Sequence, residues 1–279
     1  MVAGEPRLRC GLRACDGGEV GTPSPEQEIV FERVHADLPR QAPGSAGTTE
    51  LLLRIAGASV PSEPRILDIG CGPGASSVPL AQLTGGSVLA VDVHPPFLEA
   101  VADRAREAGV ADRVGVLEAR MQELPVEPGS IDLVWAEGSA YLMGFDAALT
   151  AWRGLLAPDG VAVLTEAEYV TADPSAGARA FWDAAYPAMR TTAENVAACQ
   201  RADWEVLGTY LLPNSDWLEY YGPMQLRVEE LRVEGCDEAL LAPVVEEIRV
   251  RRLYGRDYGY TGYVLRPRNR RADDSYGVD

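Results

Sequence analysis

Ile66-Leu67-Asp68-Ile69-Gly70-Cys71-Gly72-Pro73-Gly74 decides the fold of this chain. A short apolar run passes into three glycines at alternate positions, and a helix-compatible stretch, Ala75 to Leu83, follows. A buried strand, a tight turn and a helix N-terminus fit that order. Glycines let backbone approach a ligand closely, and a helix start offers unpaired N–H groups and the positive end of a dipole. The spacing is G-x-G-x-G, whereas a dinucleotide fingerprint needs G-x-G-x-x-G. Asp68 lies two residues before the first glycine, where it would repel a pyrophosphate and attract a ligand ammonium.

Outward from this turn, strand and helix patterns alternate. Strands are predicted over 65–69, 87–92, 113–118, 131–136 and 160–166, and helices over 75–84, 95–109 and 145–156. Such alternation implies a parallel sheet with right-handed crossovers, an α/β fold. Asp92 closes the second strand 18 residues after Gly74, where an acid can accept hydrogen bonds from ribose hydroxyls.

Asp68–Gly74 resembles motif I of the class I S-adenosylmethionine (SAM) dependent methyltransferases, D/E-x-G-x-G-x-G. Later segments match the same family in order: Asp92, then Arg120-Met121-Gln122-Glu123-Leu124-Pro125, Ile131–Ala136, and Leu155-Leu156-Ala157-Pro158-Asp159-Gly160 leading into Val161–Thr165. The family often has Asp-Ala where this chain has Arg120-Met121, so here Met121 offers a backbone N–H and an apolar face to adenine. The resemblance implies a Rossmann-like sheet of seven strands, order 3-2-1-4-5-7-6, with strand 7 antiparallel. It implies SAM as cofactor and S-adenosylhomocysteine as product. The cofactor contacts it carries over fall on Asp68, Gly70, Cys71, Gly72 and Gly74, on Asp92, Val93 and His94, on Arg120, Met121 and Gln122, and on Glu137.

A narrower likeness rests on Trp135-x-Glu137-Gly138-x-x-Tyr141-x-x-Gly144-Phe145 and Phe181-Trp182-x-x-Ala185-Tyr186-Pro187. With Arg40-Gln41-x-Pro43-Gly44-Ser45 and Gly262-Tyr263-Val264, it resembles a bacterial subgroup of small-molecule SAM methyltransferases over about residues 36–266. It carries no substrate with it.

Composition bounds the alternatives. At 279 residues and 47% hydrophobic content, one full core fits a single α/β domain over 24–266. A formal charge of −17 argues against a nucleic-acid partner. No apolar run is long enough to span a membrane, and no signal-peptide core opens the chain, so a cytoplasmic location is expected. All 25 basic residues are arginine, which removes lysine-based catalysis. The five cysteines, at 10, 15, 71, 199 and 236, lack zinc or iron–sulfur spacing; no metal is expected, and radical SAM chemistry falls with it. Cys71 reads as a small packing residue in the turn. A homodimer stays open.

Residues 1–23 and 267–279 are expected to lack fixed structure. Ser24-Pro25-Glu26-Gln27 reads as a helix start leading into Ile29–Leu38, and Thr48–Gly57 as a second helix with Leu51, Leu52, Leu53 and Ile55 facing inward. Ala176–Ala202 reads as helix interrupted at Pro187, Trp204–Leu212 as strand six and Tyr258–Leu265 as strand seven. Between them, 213–257 carries two helical patterns, Trp217–Val233 and Cys236–Tyr254. A parallel strand six ends at the carboxyl edge of the sheet, where ligands of open α/β sheets bind. The insertion is therefore expected to cover the active site as a lid.

Methyl transfer is in-line displacement at an activated sulfonium, so positioning and water exclusion dominate and a base is optional. Glu137, just after strand four, is the first catalytic candidate, placed to orient SAM, to accept a proton from a cationic acceptor or to pair with it; the alternative is an acid bonded to loop backbone. Tyr141 on the same loop is the second catalytic candidate and would face the acceptor. Further acceptor contacts are expected among Trp182 and Tyr186, four apart on one helical face, and among Tyr254 and Tyr258, with Tyr260 and Tyr263 as their strand neighbours. His35 lies in an N-terminal helix that can cross the pocket; a satisfied core histidine is the competing reading. Arg227, Arg249, Arg251, Arg252 and Arg256 read mostly as solvated ion-pair partners. The expected partner is a small-molecule acceptor with a nitrogen or oxygen nucleophile. Protein or nucleic-acid methylation is the alternative, as is SAM binding without methyl transfer. The loop after strand four, Ala136-Glu137-Gly138-Ser139, lacks the N/D-P-P-Y/F tetrapeptide of base and glutamine amino methylation.

Overall fold

β1 (Arg65–Ile69) pairs in parallel with β2 (Ser87–Asp92) on one side and β4 (Ile131–Glu137) on the other, so Asp68 sits opposite both Ala90 and Trp135. The structure, a computed structural model, describes residues 24–268. β3 (Val114–Glu118) extends the sheet beyond β2, and β5 (Leu156–Tyr169) lies beyond β4. β8 (Tyr258–Pro267) then runs antiparallel between β5 and β7 (Trp204–Leu211). A two-residue strand, β6 (Arg190–Thr191), pairs with the end of β5. The path is β3-β2-β1-β4-β5-β8-β7, which is the expected 3-2-1-4-5-7-6 order once β6 is counted.

β5 is longer than predicted because β8 pairs with it from Ala162 to Tyr169, past its last β4 partner, Thr165. Residues 166–169 therefore project beyond the carboxyl edge of β4. One face of the sheet is packed by α2 (Ala46–Ala56), α3 (Ser77–Thr84) and α4 (Pro95–Glu107), the other by α5 (Phe145–Arg153) and α7 (Thr192–Arg201). The predicted helix over 176–202 is two helices. α6 (Ala176–Ala185) stops before Pro187, whose missing N–H cannot continue it, and α7 restarts on a capping box of Thr191 and Glu194.

α1 (Pro25–His35) begins on the capping box of Ser24 and Gln27. In α2 only Leu52 of the leucine run is fully buried; Leu51, Leu53 and Ile55 are half-buried. A helix turns about 100° per residue, so three consecutive side chains cannot share one inward stripe. Residues 213–257 form a hairpin of α8 (Asn214–Val233) and α9 (Glu238–Tyr254). Together with α1, α6 and the start of β8, this hairpin builds a third, aromatic-rich core. β8 runs on to Pro267, past the predicted strand end at Leu265, and the expectations for 1–23 and 269–279 lie outside the described residues.

Candidate active site

The turn after β1 depends on left-handed backbone at Gly70, Gly72 and Gly74, with φ of 68°, 51° and 86°. A Cβ on Gly70 would lie 2.5 Å from Ser139 Cβ, and one on Gly74 3.0 Å from Val101 Cγ2. Gly72 meets nothing nearer than Gln41 Cγ at 3.5 Å, so it marks the open side of the cradle. Asp92 accepts from Gly72 N and His94 N, each at 3.0 Å, and so clamps the turn as well as closing β2. Burial raises the Asp92 carboxyl against those backbone donors. Cys71 is buried, and burial followed by Asp68 and Asp92 pushes its thiol well up, which suits packing.

Asp68 is fully buried. Its Oδ2 accepts from Ser76 Oγ at 3.0 Å and Ser77 Oγ at 2.6 Å, while Oδ1 has no hydrogen-bond partner among the described residues. Burial pushes this carboxyl up to about 7, helped by Glu137 and Asp92 and opposed by the two hydroxyls. The sequence reading missed both serines; their signal was a hydroxyl pair at the helix start facing the acid.

Beside Asp92, Val93 is exposed and His94 is half-buried, edge-on to Phe97 at 4.5 Å. Arg120 and Gln122 are exposed, whereas Met121 is half-buried and its Cε lies 3.7 Å from a Cβ built on Gly70. Met121 therefore reaches the turn through its side chain, and His94 through its backbone bond to Asp92.

Glu137 ends β4 in a closed network. Its Oε1 accepts from Trp135 Nε1 at 2.9 Å and Thr49 Oγ1 at 2.8 Å, and Oε2 pairs with the Arg40 guanidinium at 3.6 Å. Both charged side chains are less than a tenth exposed. Arg40 belongs to a strap, residues 39–44, that crosses the turn. Arg104 donates to Pro39 O at 2.9 Å, and a Cβ on Gly138 would lie 2.4 Å from Ala42 Cβ. At its far end Gly44 N donates to Asp216 O at 3.3 Å, and Thr48 Oγ1 to Asp216 Oδ2 at 2.5 Å. Neither Arg40 nor Thr49 was assigned a role from sequence, because their partner is distant in the chain.

Tyr141, in the short helical turn Ala140–Leu142, is buried with its ring 5.8 Å from that of Tyr186. The Tyr186 hydroxyl approaches Glu166, a fully buried acid pushed up to about 8, mainly by burial. Trp182 packs at 4.9 Å on Tyr258, and both are buried. Tyr254 rests on α6, where a Cβ on Gly177 would meet its hydroxyl at 2.3 Å. Tyr258 and Tyr260 enter the aromatic core, while Tyr263 faces the other way and donates to Glu168. His35 is buried, stacked at 3.8 Å on Phe31, with Nδ1 2.9 Å from Phe31 O. Burial lowers its pKa to about 4, so it is neutral.

The structure thus brings Asp68, Asp92 and Glu137 around one turn and Tyr141 against Tyr186. It sets His35, Trp182, Tyr254 and Tyr258 within or against the aromatic core. Among the described residues no cluster of three or more metal-ligating side chains converges, and no helix is long and apolar enough to cross a membrane.

A solved SAM-dependent methyltransferase from Geobacter sulfurreducens, in complex with S-adenosylhomocysteine, has the same fold: TM-score 0.75 at 20% identity, over 86% of this chain and 98% of that one. The methyltransferase GfsG of Streptomyces halstedii is 34% identical over 97 residues, covering 34% of this chain and 35% of that protein. The 27-O-demethylrifamycin SV methyltransferase of Amycolatopsis mediterranei is 37% identical over 97 residues, covering 34% and 36%. The matched segment spans about a third of these curated relatives. Residues 66–160, which contain the glycine turn, Asp92 and Glu137, match the family model of a methyltransferase domain.

Proposed function

We propose that this protein is a SAM-dependent methyltransferase acting on a small-molecule acceptor with a nitrogen or oxygen nucleophile. The observation that carries the reading is the glycine cradle ringed by three acids, Asp68, Asp92 and Glu137, with Arg40 paired to one of them. A ligand bearing a sulfonium and an ammonium suits a site with that excess of negative charge. The unpartnered Oδ1 of Asp68 offers it an acceptor, and Asp92 keeps lone pairs for two ribose hydroxyls.

When bound, SAM supplies a methyl carbon on a positively charged sulfur, and the C–S bonding pair stays with that sulfur as the acceptor's lone pair forms the new bond. The protein holds and dries the site. Asp92 and the turn fix the ribose side, and Met121 gives adenine an apolar face. Glu137 and Tyr141 border the transferring end. Glu137 acts as a fixed acid that stabilises positive charge on the acceptor, since its own network leaves it little freedom to move. Residues 213–257 serve as the lid within a single domain over 24–266. The rifamycin relative supports a small-molecule acceptor, as do the −17 charge and the Ala136-Glu137-Gly138-Ser139 loop.

The test combines calorimetry with S-adenosylhomocysteine and mass-spectrometric counting of methyl groups on a panel of amines and alcohols. Micromolar cofactor binding with a gain of about 14 daltons on an acceptor is expected. Binding without any mass gain across the panel would favour a non-methylating role.

A further inference from the structure

Where the α8–α9 hairpin meets the strap, four aromatic side chains and one acid surround a narrow cavity whose rim includes Gly138, next to Glu137. Trp217, Tyr220 and Tyr221 come from α8, Tyr260 from β8 and Glu247 from α9. The Trp217 ring lies 5.5 Å from Tyr260 and 5.8 Å from Tyr221, and Tyr220 lies 4.9 Å from Tyr221. Glu247 is buried and accepts from Tyr221 OH at 2.9 Å. It forms no ion pair among the described residues. Arg251, the cation stacked on Trp217 at 3.8 Å, donates instead to Tyr258 O and Asn214 Oδ1.

A buried carboxyl without a cation is costly to ionise, and aromatic faces attract cations. Resting on the methyltransferase reading, we infer that the acceptor carries an ammonium group, held among Trp217, Tyr220, Tyr221 and Tyr260 with Glu247 as its counter-ion. The position fits that use: Gly138 follows the strand-four acid, so a group in the cage lies beside the transfer site. The enclosed space is about 10 Å³, the room of one water, so the cation enters when the strap residues Gln41–Pro43 on the opposite wall withdraw. Burial pushes Glu247 up to about 7, against the Tyr221 bond. The other titratable groups facing it are Tyr258 and Tyr260 of β8; Arg251, one turn further along α9, is taken up by Trp217, Tyr258 O and Asn214 Oδ1.

Choline and its uncharged isostere 3,3-dimethyl-1-butanol separate charge from shape. Titrated into the full chain with and without S-adenosylhomocysteine, choline should bind at least roughly tenfold more tightly than the alcohol. That preference should grow from pH 6 to pH 8 as Glu247 ionises, choline's charge being constant. Glu247→Gln should remove most of the preference, and Tyr260→Leu should weaken choline about fivefold or more. S-adenosylhomocysteine affinity, unchanged in both variants, shows that they are folded. Equal affinity of the wild type for the two probes overturns the inference, as does unchanged choline binding in both variants. If a variant fails to fold, the wild-type comparison and its pH dependence still decide. Absence of S-adenosylhomocysteine binding would instead overturn the cofactor reading, leaving the cage to be judged from the probes alone.

Discussion

Thr49 Oγ1 donates to Glu137 Oε1 over 2.8 Å, so the second N-terminal helix fixes the acid at the end of the fourth strand. Arg40 holds the other oxygen from the strap. The acid is therefore held on both oxygens, and its two properties, charge and shape, can be separated. Glu137→Gln should lower kcat about tenfold, roughly 1.4 kcal/mol, while the S-adenosylhomocysteine Kd stays within about threefold. Wild-type kcat in that variant would return Glu137 to a structural role.

Arg40→Met removes the cation from the same buried pair and leaves the carboxylate uncompensated. Denaturant unfolding should show a loss on the order of 3 kcal/mol. A loss under about 1 kcal/mol would mean the pair contributes little.

Two neighbouring glycines should respond differently to alanine. At Gly70 the new methyl would strike Ser139, whose hydroxyl donates to Ile69 O at 2.6 Å, so the fold itself should suffer by about 2–4 kcal/mol. Gly72 has space, so Gly72→Ala carries mainly backbone strain of about 1 kcal/mol. Its methyl would face Gln41 of the strap that crosses the turn, and S-adenosylhomocysteine affinity should fall more than stability does. Equal stability losses at the two sites would contradict this geometry.

Asp92→Ala removes an acceptor from the backbone N–H groups of Gly72 and His94 and, on the proposed function, from the ribose hydroxyls. Asp68→Ala removes the acid behind the cradle. Each should weaken S-adenosylhomocysteine by about 1–3 kcal/mol in calorimetry. Unaltered affinity in both would remove the cofactor from this turn.

Glu166 makes stability depend on pH in a direction opposite to that of an ion-paired acid. Its folded pKa, about 8, lies above the ordinary glutamate value, with Tyr186 and Arg190 opposing the dominant burial and Glu168 adding to it. Below about pH 4.5 both states are protonated and stability is full; as pH rises towards 8 the unfolded chain ionises first and stability is lost. Glu166→Gln does not titrate. Its stability relative to the wild type should therefore rise by on the order of 2–4 kcal/mol between pH 5 and pH 8.5 in paired urea melts. A constant difference would show that Glu166 is ionised in the fold.

What the sequence made legible was local. The glycine turn, the acid ending β2 and the strand–helix alternation each carry their signal within about ten residues, and the sheet order came with the family resemblance that they support. The hidden parts depend on pairings across the fold. Thr165-Glu166-Ala167-Glu168 alternates like a half-solvated strand, yet β8 and α7 cover it and both acids are buried. Glu246-Glu247-x-Arg249 reads as a solvated helix face; Glu246 does pair with Arg249, while Glu247 turns inward to Tyr221. Arg40 has a partner only because β4 brings Glu137 to it across the fold.

β8 is the last strand of the sheet to leave the ribosome, yet it lies between two strands made earlier, hydrogen-bonded to β5 on one side and β7 on the other. Until residues 258–267 emerge, β5 has an open edge from Ala162 to Tyr169 and β7 lacks its strand partner. During synthesis, then, the nascent chain carries the glycine turn and β1–β5 as a partial sheet with an unpaired flank. Open strand edges invite pairing with other chains, so this stage is where chaperones would be most needed.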